Sequence, residues 1–250
     1  MNGNSTNQIN AGTKKAQILV VDDHPLVREG LMQILNRQDD LNCCGSCDKS
    51  RDALDAVALL NPDLVTVDIR LQQGDGIELI RDIKRFSPKT KMLVVSQCDE
   101  LIYAERALKA GALGYVLKEK ATDEILKAIR TILEGDLYVS PQISTLALHR
   151  LLKPDGANKE GIHSLTNREL QVFQLIGAGL STKKIAPRLF LSVKTVETHR
   201  ENIKHKLCLA NSVELVRHAT EWLNRQNSAV SYPNPAASCS PVTTNAQAMA

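Results

Sequence analysis

The chain has no long apolar run. Nowhere in its 250 residues is there a stretch near the ~20 apolar positions that a membrane-spanning helix needs. Met1 to Thr13 is rich in Asn, Ser and Thr and lacks the apolar core of a secretory signal. Cysteine usage excludes a further class. There are six cysteines, Cys43, Cys44, Cys47, Cys98, Cys208 and Cys239, and only Cys44 and Cys47 form a Cys-x-x-Cys pair. A structural zinc site wants a second ligand pair, and no matching Cys or His pair is evident. The expectation is a soluble cytoplasmic protein whose thiols stay reduced.

What is present suits a globular protein with two jobs. Hydrophobic residues make up 43% of the chain, enough for ordinary cores, and the length suggests one or two domains. The net charge of +3 conceals an asymmetry. Residues 16–138 carry 16 Lys+Arg against 21 Asp+Glu, net −5, whereas residues 161–226 carry 10 against 5, net +5. An acidic front half with a basic back half points to nucleic acid as the partner of the second.

In the front half, short apolar runs alternate with amphipathic stretches. Ile18 to Val21, Leu41 to Cys44, Leu64 to Val67, Met92 to Ser96 and Gly114 to Leu117 read as strands. Helices are predicted over Pro25 to Leu35, Ser50 to Leu60, Ile77 to Phe86, Glu100 to Ala110 and Thr122 to Leu133, the last capped by Thr122. Asn61-Pro62 and Gly111 supply stop signals. Five strands alternating with helices predict a doubly wound, five-stranded parallel sheet. Such strands are buried on both faces, which explains continuous apolar runs in place of alternation.

The ends of these runs carry the chemistry. Asp22 and Asp23 follow the first, Asp68 the third, Ser96 closes the fourth, and Lys118 follows the fifth. Ligands of open α/β sheets bind at the carboxyl edge. Three carboxylates, a hydroxyl and an ammonium gathered there suggest a magnesium-dependent phosphoryl acceptor.

The back half predicts a compact helical module after a linker-like segment. Thr166-Asn167-Arg168-Glu169 is a capping box. Ser181, Ser192 and Asn211 with Glu214 are further caps, giving four helices. Pro187 lies inside the second, where it removes a donor, so that helix is expected to be kinked or short. The third carries Val196, Ile203 and Leu207 on one face and Lys194, Glu197, Thr198, Glu201 and His205 on the other.

Taken together, these motifs resemble two known modules. Val21-Asp22-Asp23-His24-Pro25, Asp68-Ile69-Arg70 with Gly76, Ser96 and Tyr115-Val116-Leu117-Lys118 are similar to the receiver domain of two-component response regulators. Leu165-Thr166-Asn167-Arg168-Glu169, Gly179-Leu180-Ser181-Thr182-Lys183-Lys184-Ile185-Ala186, Leu189-Phe190-Leu191-Ser192 and Lys194-Thr195-Val196-Glu197-Thr198-His199 resemble the helix-turn-helix domain of the NarL/FixJ, or LuxR-type, group. The implied organisation is a tail over 1–15, a receiver over 16–138, a linker over 139–162, a DNA-binding domain over 163–226 and a tail over 227–250, both tails expected to be disordered.

The resemblance implies roles. Asp68 would accept the phosphoryl group. Asp23 and Asp68 would ligate Mg²⁺ directly, Asp22 through water, and Arg70 through its backbone carbonyl. Ser96 and Lys118 would bind phosphoryl oxygens, and Tyr115 would be a rotamer switch. His24-Pro25 reads as the entry to the first helix and not as a ligand. Lys183 and Lys184 suit DNA phosphates, and Lys194, Thr195, Glu197, Thr198, Arg200, Glu201 and Lys204 are candidates for groove contacts. Implied partners are a sensor histidine kinase, double-stranded DNA, a second copy through the last helix and RNA polymerase. No enzyme activity is expected. An aspartyl-phosphate phosphatase would want a carboxylate two residues after the nucleophile, where Arg70 stands, and would leave the basic module unexplained. A regulator that ignores phosphorylation is the remaining alternative. Two departures stand out: Leu71-Gln72-Gln73-Gly74-Asp75-Gly76 lacks the usual Met-Pro turn, and Lys118 precedes Glu119 where many receivers have proline. Gln72 and Gln73 bear on phosphate lifetime.

Overall fold

The computed structural model describes residues 15–71, 74–120, 122–151 and 161–229. Most of both tails expected to be disordered, residues 152–160 of the linker, Gln72 and Gln73 lie outside the described residues; residues 227–229, expected to belong to the second tail, continue the last helix.

The front half is a five-stranded parallel sheet, β1 (Ala16–Val21), β2 (Leu41–Cys47), β3 (Leu64–Val67), β4 (Lys91–Ser96) and β5 (Gly114–Leu117), in the order β2-β1-β3-β4-β5. Helices α1 (Pro25–Asn36), α2 (Ser50–Leu60), α3 (Gly76–Phe86), α4 (Glu100–Ala110) and α5 (Thr122–Glu134) connect and cover it. Side chains of a strand alternate between faces. Leu19, Val21, Val65, Val67, Met92 and Val94 therefore join the apolar cluster shared with α2, α3 and α4. Ile18, Val20, Leu64, Leu93, Val95 and Val116 join the other, beneath α1 and α5. Each fully buried Val, Leu or Ile contributes about 1.5–3 kcal/mol of transfer free energy.

Register positions the sheet edge. Val21 pairs with Val67, and Ser96 with Leu117. Asp22 and Asp68 are thus neighbours one step beyond a paired valine, and the Asp68 amide donates to the Val21 carbonyl at 2.9 Å. The same logic sets Lys118 beside Ser96, whose carbonyl accepts from the Lys118 amide at 3.0 Å.

Three local expectations need correction. β2 runs on to Cys47 because a bulge takes up Cys44: Ile18 pairs with Cys43 but Leu19 with Gly45. The extra residue turns Cys44 and Cys47 toward the same cluster while Cys43 meets the other. Burial pushes the Cys43 and Cys44 thiols up, and that of Cys47 to about 11, which disfavours the thiolate that binds metal. Thr122 is the first residue of α5 itself, not its cap. Leu26, one of the apolar residues of the predicted first helix, is 85% exposed, on the side of α1 away from buried Leu31 and Leu35.

The back half follows α6 (Pro141–Leu151), which rests on α4 through buried Ile143 and a Ser140–Glu100 hydrogen bond. A 3-10 turn (Gly161–Ser164) leads into α7 (Asn167–Gly177), α8 (Thr182–Arg188), α9 (Val193–Lys206) and α10 (Ser212–Ala229). Thr166 and Glu169 form the capping box, and Ser192 caps α9 through the Thr195 amide. Ser181 holds the cap position of α8 without a side-chain bond. With Pro187 inside, α8 is only seven residues long, anchored by fully buried Ile185. In α10, Leu215 and Ala219 are buried, but Val213 is 79% and Val216 42% exposed.

Candidate functional site

At the carboxyl edge of the sheet, Asp68 stands at the centre of a buried polar cluster. It is 3% exposed, and Asp22 is 2% exposed. Lys118 Nζ donates to Asp68 Oδ2 at 2.6 Å and pairs with Asp22 Oδ2 at 2.7 Å. Ser96 Oγ donates to Asp68 Oδ1 at 2.6 Å. Asp23 sits beside them with Oδ1 buried and lacking a hydrogen-bond partner. Burial chiefly raises the Asp23 carboxyl, and the charges of Asp68 and Asp22 add to that against the opposing pull of His24. Burial works against the Lys118 charge, yet its bonds to Asp22 and Asp68 hold its pKa above the ordinary value.

Among the described residues these three carboxylates share one fixed cation, Lys118, leaving a charge of about −2 in a largely buried pocket. A surplus of that size is expensive unless a cation balances it. Ligand-capable atoms of Asp22, Asp23, His24 and Asp68 all lie within 4.8 Å of one another. The oxygen donors of its three carboxylates suit a hard divalent ion. The sequence marks His24 only as a helix entry, so its place in this group is an addition.

The surrounding frame is specific. The Asp22 carbonyl accepts from Arg28 Nη1 at 2.6 Å, which ties α1 to the site. A Cβ added to Gly76 would stand 2.1 Å from the Asp68 carbonyl oxygen, so only glycine lets α3 approach the Asp68 backbone. Tyr115 points inward, 2% exposed, and its hydroxyl donates to the Cys98 carbonyl at 2.7 Å. That carbonyl lies two residues beyond Ser96, so Ser96 and Tyr115 grip the same segment.

The sequence missed a second set of residues. Asp75 caps α3 with Oδ1, and its Oδ2 accepts from Gln171 Nε2 of α7 at 3.0 Å. Arg106 of α4 donates to the carbonyls of Leu165 at 2.7 Å and Ile162 at 3.2 Å, and to Asn167 Oδ1 at 3.0 Å. Tyr103 Oη donates to Gln174 Oε1 at 3.2 Å. Elements flanking the acidic cluster therefore hold the start of the helical module. Only Asp75 carried a signal, as an Asp-Gly before a helical pattern.

In the helical module the face opposite Val196 and Ile203 is open. Lys194, Glu197, Thr198, Glu201 and His205 are exposed, as are Lys183 and Lys184. Arg200 and Lys204 are half-buried, and Lys204 pairs with Glu201 at 2.9 Å. Thr195 faces inward more than expected, its hydroxyl 2.8 Å from Ser192 Oγ. Lys206 Nζ donates to buried Glu169 Oε2 at 2.6 Å, which locks α9 to the start of α7.

This architecture has known counterparts. Residues 18–130 match the response regulator receiver domain, and residues 163–219 match the bacterial regulatory proteins of the luxR family. The oxygen regulatory protein NreC of Staphylococcus carnosus is 34% identical over 208 residues, covering 81% of this chain and 96% of that protein. The chain belongs to the NarL/FixJ-type response regulators. Response regulator GacA of Pseudomonas aeruginosa is 35% identical over 206 residues, with 81% and 96% of the two chains covered. Among solved structures, a LuxR-family two-component response regulator from Aurantimonas sp. is 32% identical over 55% of this chain and 99% of that chain, with a TM-score of 0.51. RcsB of Salmonella enterica serovar Typhimurium, bound to promoter rprA in the presence of phosphomimetic BeF3−, superposes over 82% of this chain and 98% of that one. Its TM-score is 0.57 and its identity 25%. This response regulator is accordingly a receiver joined to a LuxR-type DNA-binding domain, and a transcription regulator, not an enzyme. No helix among its described residues is long and apolar enough to cross a membrane.

Proposed function

We propose that Asp68 is the phosphoacceptor of this response regulator and that its phosphorylation governs DNA binding by the module over residues 163–226. The carrying observation is the setting of Asp68: both oxygens are engaged, by Ser96 and Lys118, in a pocket holding two further carboxylates. One Asp68 oxygen attacks phosphorus, and the departing imidazole nitrogen of a sensor histidine kinase keeps the electron pair of the broken bond. Phosphoryl transfer needs chiefly positioning and charge compensation, which is what this pocket supplies. Asp23, Asp68 and the Arg70 carbonyl would hold Mg²⁺, with Asp22 reaching it through water. The orphan Asp23 oxygen and the uncompensated charge fit such an ion. A Mg²⁺ held by these residues would supply positive charge to offset the charge building on the phosphoryl oxygens. Lys118 and Ser96 then exchange their carboxylate contacts for phosphoryl oxygens.

The exchange biases a two-state element. Ser96, the Cys98 carbonyl and Tyr115 form one linked segment at the head of α4. Tyr103 and Arg106 of the same helix hold the 162–174 region. A shift of this segment alters the docking of the DNA-binding module. On DNA, α9 enters the major groove with Lys194, Glu197, Thr198 and Glu201 toward base edges, and Arg200 and Lys204 toward backbone or guanine. Thr195 remains at the groove entrance as a capping contact. Lys183 and Lys184 anchor the phosphates. The exposed Val213 and Val216 of α10 supply a homodimer seam, and RNA polymerase is the downstream partner of a cytoplasmic regulator. Residues 16–138 act as the receiver and 139–162 as the linker that carries α6.

Phosphorylation by a small phosphodonor with Mg²⁺, followed by intact mass and by DNA binding, tests this reading. Wild type gains one phosphoryl group and binds DNA more tightly, whereas Asp68→Asn gains none. A phosphorylated Asp68→Asn protein, or DNA affinity indifferent to the modification, refutes it and favours a phosphorylation-independent regulator.

A further inference from the structure

His24 is the one group in the acidic cluster that is not an oxygen donor or Lys118. Its position is set by its neighbours. Pro25 opens α1 and bars the helical region to the residue before it, so His24 is extended, at φ −88° and ψ 109°. Its amide donates to Asp22 Oδ1 at 2.9 Å, which pins the backbone to the rim of the site. The side chain makes no helix cap. Instead, Nδ1 stands 2.8 Å from Asp23 Oδ1, 3.4 Å from Asp22 Oδ1 and 3.9 Å from Asp68 Oδ2.

The 2.8 Å contact is at hydrogen-bond distance but not in hydrogen-bond geometry, since Asp23 Oδ1 has no hydrogen-bond partner. A nitrogen and an oxygen this close with no hydrogen bond between them can both serve a common ion. In an octahedral ion with ~2.1 Å bonds, adjacent ligands are about 3.0 Å apart and opposite ones about 4.2 Å. The His24–Asp23 separation of 2.8 Å is close to the first value and the His24–Asp68 separation of 3.9 Å close to the second. The imidazole is also 52% exposed, so a hydrated ion can enter past it and the ring can turn without disturbing the core.

We propose that His24 Nδ1 is a direct ligand of the divalent cation, making this receiver site a mixed nitrogen and oxygen centre that favours Mn²⁺ and later transition ions over Mg²⁺. The inference rests on the reading of Asp22, Asp23 and Asp68 as the cation site. Mg²⁺ demands oxygen and keeps its waters, so it gains little from an imidazole. Transition ions accept imidazole, with affinity rising from Mn²⁺ toward Cu²⁺. His24 thereby sets which metal the site prefers when both are present, separately from the carboxylates that set whether it binds one.

The test uses the full-length protein and Mn²⁺ as the probe. Electron spin echo envelope modulation of the bound Mn²⁺ shows coupling to a directly ligated imidazole nitrogen in wild type and none in His24→Asn. Calorimetric titration shows Mn²⁺ affinity falling about 10-fold in His24→Asn, while Mg²⁺ affinity moves less than about 2-fold. Bound Mn²⁺ without nitrogen coupling in wild type overturns the assignment and leaves the carboxylate site standing. Equal losses for both metals also overturn it, because they reveal a general electrostatic or structural role. Mn²⁺ binding undiminished by Asp23→Asn, or no binding of either metal to wild type, overturns the underlying reading as well. The wild-type spectrum decides the question even if a variant folds poorly.

Discussion

Replacing Asp23 with Asn should stabilise the metal-free protein and abolish its response to Mg²⁺. Asp22 and Asp68 are nearly fully buried, and the Asp23 side chain is 11% exposed. Among the described residues Lys118 is the only Lys or Arg bonded within the trio, and it is already shared by Asp22 and Asp68. The uncompensated charge therefore falls on Asp23, whose carboxyl burial pushes up. Like charges about 4 Å apart repel by about 4 kcal/mol at an effective dielectric of ~20, before relaxation and screening. Removing one such charge should return about 1–2 kcal/mol, within the range common for a single stabilising substitution. That corresponds to a Tm about 2–8 °C higher in chelator. With Mg²⁺ at about 100 times its Kd, wild type gains about 2.7 kcal/mol, and the variant nearly nothing. The order of stability inverts between chelator and Mg²⁺. Urea or thermal unfolding at pH 7, with EDTA and with Mg²⁺, measures both arms. A variant less stable than wild type in EDTA, or one stabilised equally by Mg²⁺, refutes the charge argument.

Three further outcomes follow from separate features. Gly76→Ala forces a Cβ against the Asp68 carbonyl, and overpacking of backbone costs about 1–3 kcal/mol; urea unfolding and the small-phosphodonor rate should both suffer, and a wild-type phosphorylation rate would contradict the predicted displacement of Asp68. Glu169 is buried, which raises its carboxyl, but Lys206 and the Thr166 amide outweigh that and hold it below its ordinary value of 4.5. A lowered folded-state pKa stabilises above the unfolded value and is lost as pH falls through the folded one. Glu169→Gln should therefore cost about 1–3 kcal/mol at pH 7 and flatten the acid limb of the DNA-binding module's stability curve; an unchanged pH profile counts against the Lys206 bond. Arg106→Ala removes three donors to the 162–167 segment. It should expand the unphosphorylated protein in small-angle scattering and raise its DNA affinity about 10-fold, equivalent to about 1.4 kcal/mol; an unaltered scattering profile shows that docking does not depend on Arg106.

The sheet was legible because its signals are local and repeated. An apolar run ending in a polar or charged residue, followed by an amphipathic stretch, marks a strand edge wherever it recurs, and it recurred at Asp22, Asp68, Ser96 and Lys118. Parallel pairing then needs no further instruction to bring those ends together. The capping residues Thr166, Ser192 and Asn211 were readable for the same reason. Less local features were not. The β2 bulge depends on how Gly45 pairs with Leu19, which no pattern of apolar residues encodes. Val213 and Val216 look like Leu215 and Ala219 in sequence, and only packing against α7 separates buried from exposed.

By itself, then, the sequence determined the order of strands and helices, the chemistry at their ends and the identity of the basic module, because short-range periodicity and residue type dictate those. Tertiary structure alone decided what lies between the parts. Arg106 reaches two backbone carbonyls and Gln171 reaches the spare oxygen of Asp75, contacts between residues 56 to 96 positions apart that leave no trace in either segment. His24 joined the acidic cluster the same way. Its proline neighbour and one amide bond to Asp22 place the ring, and three distances rather than any motif reveal what it faces.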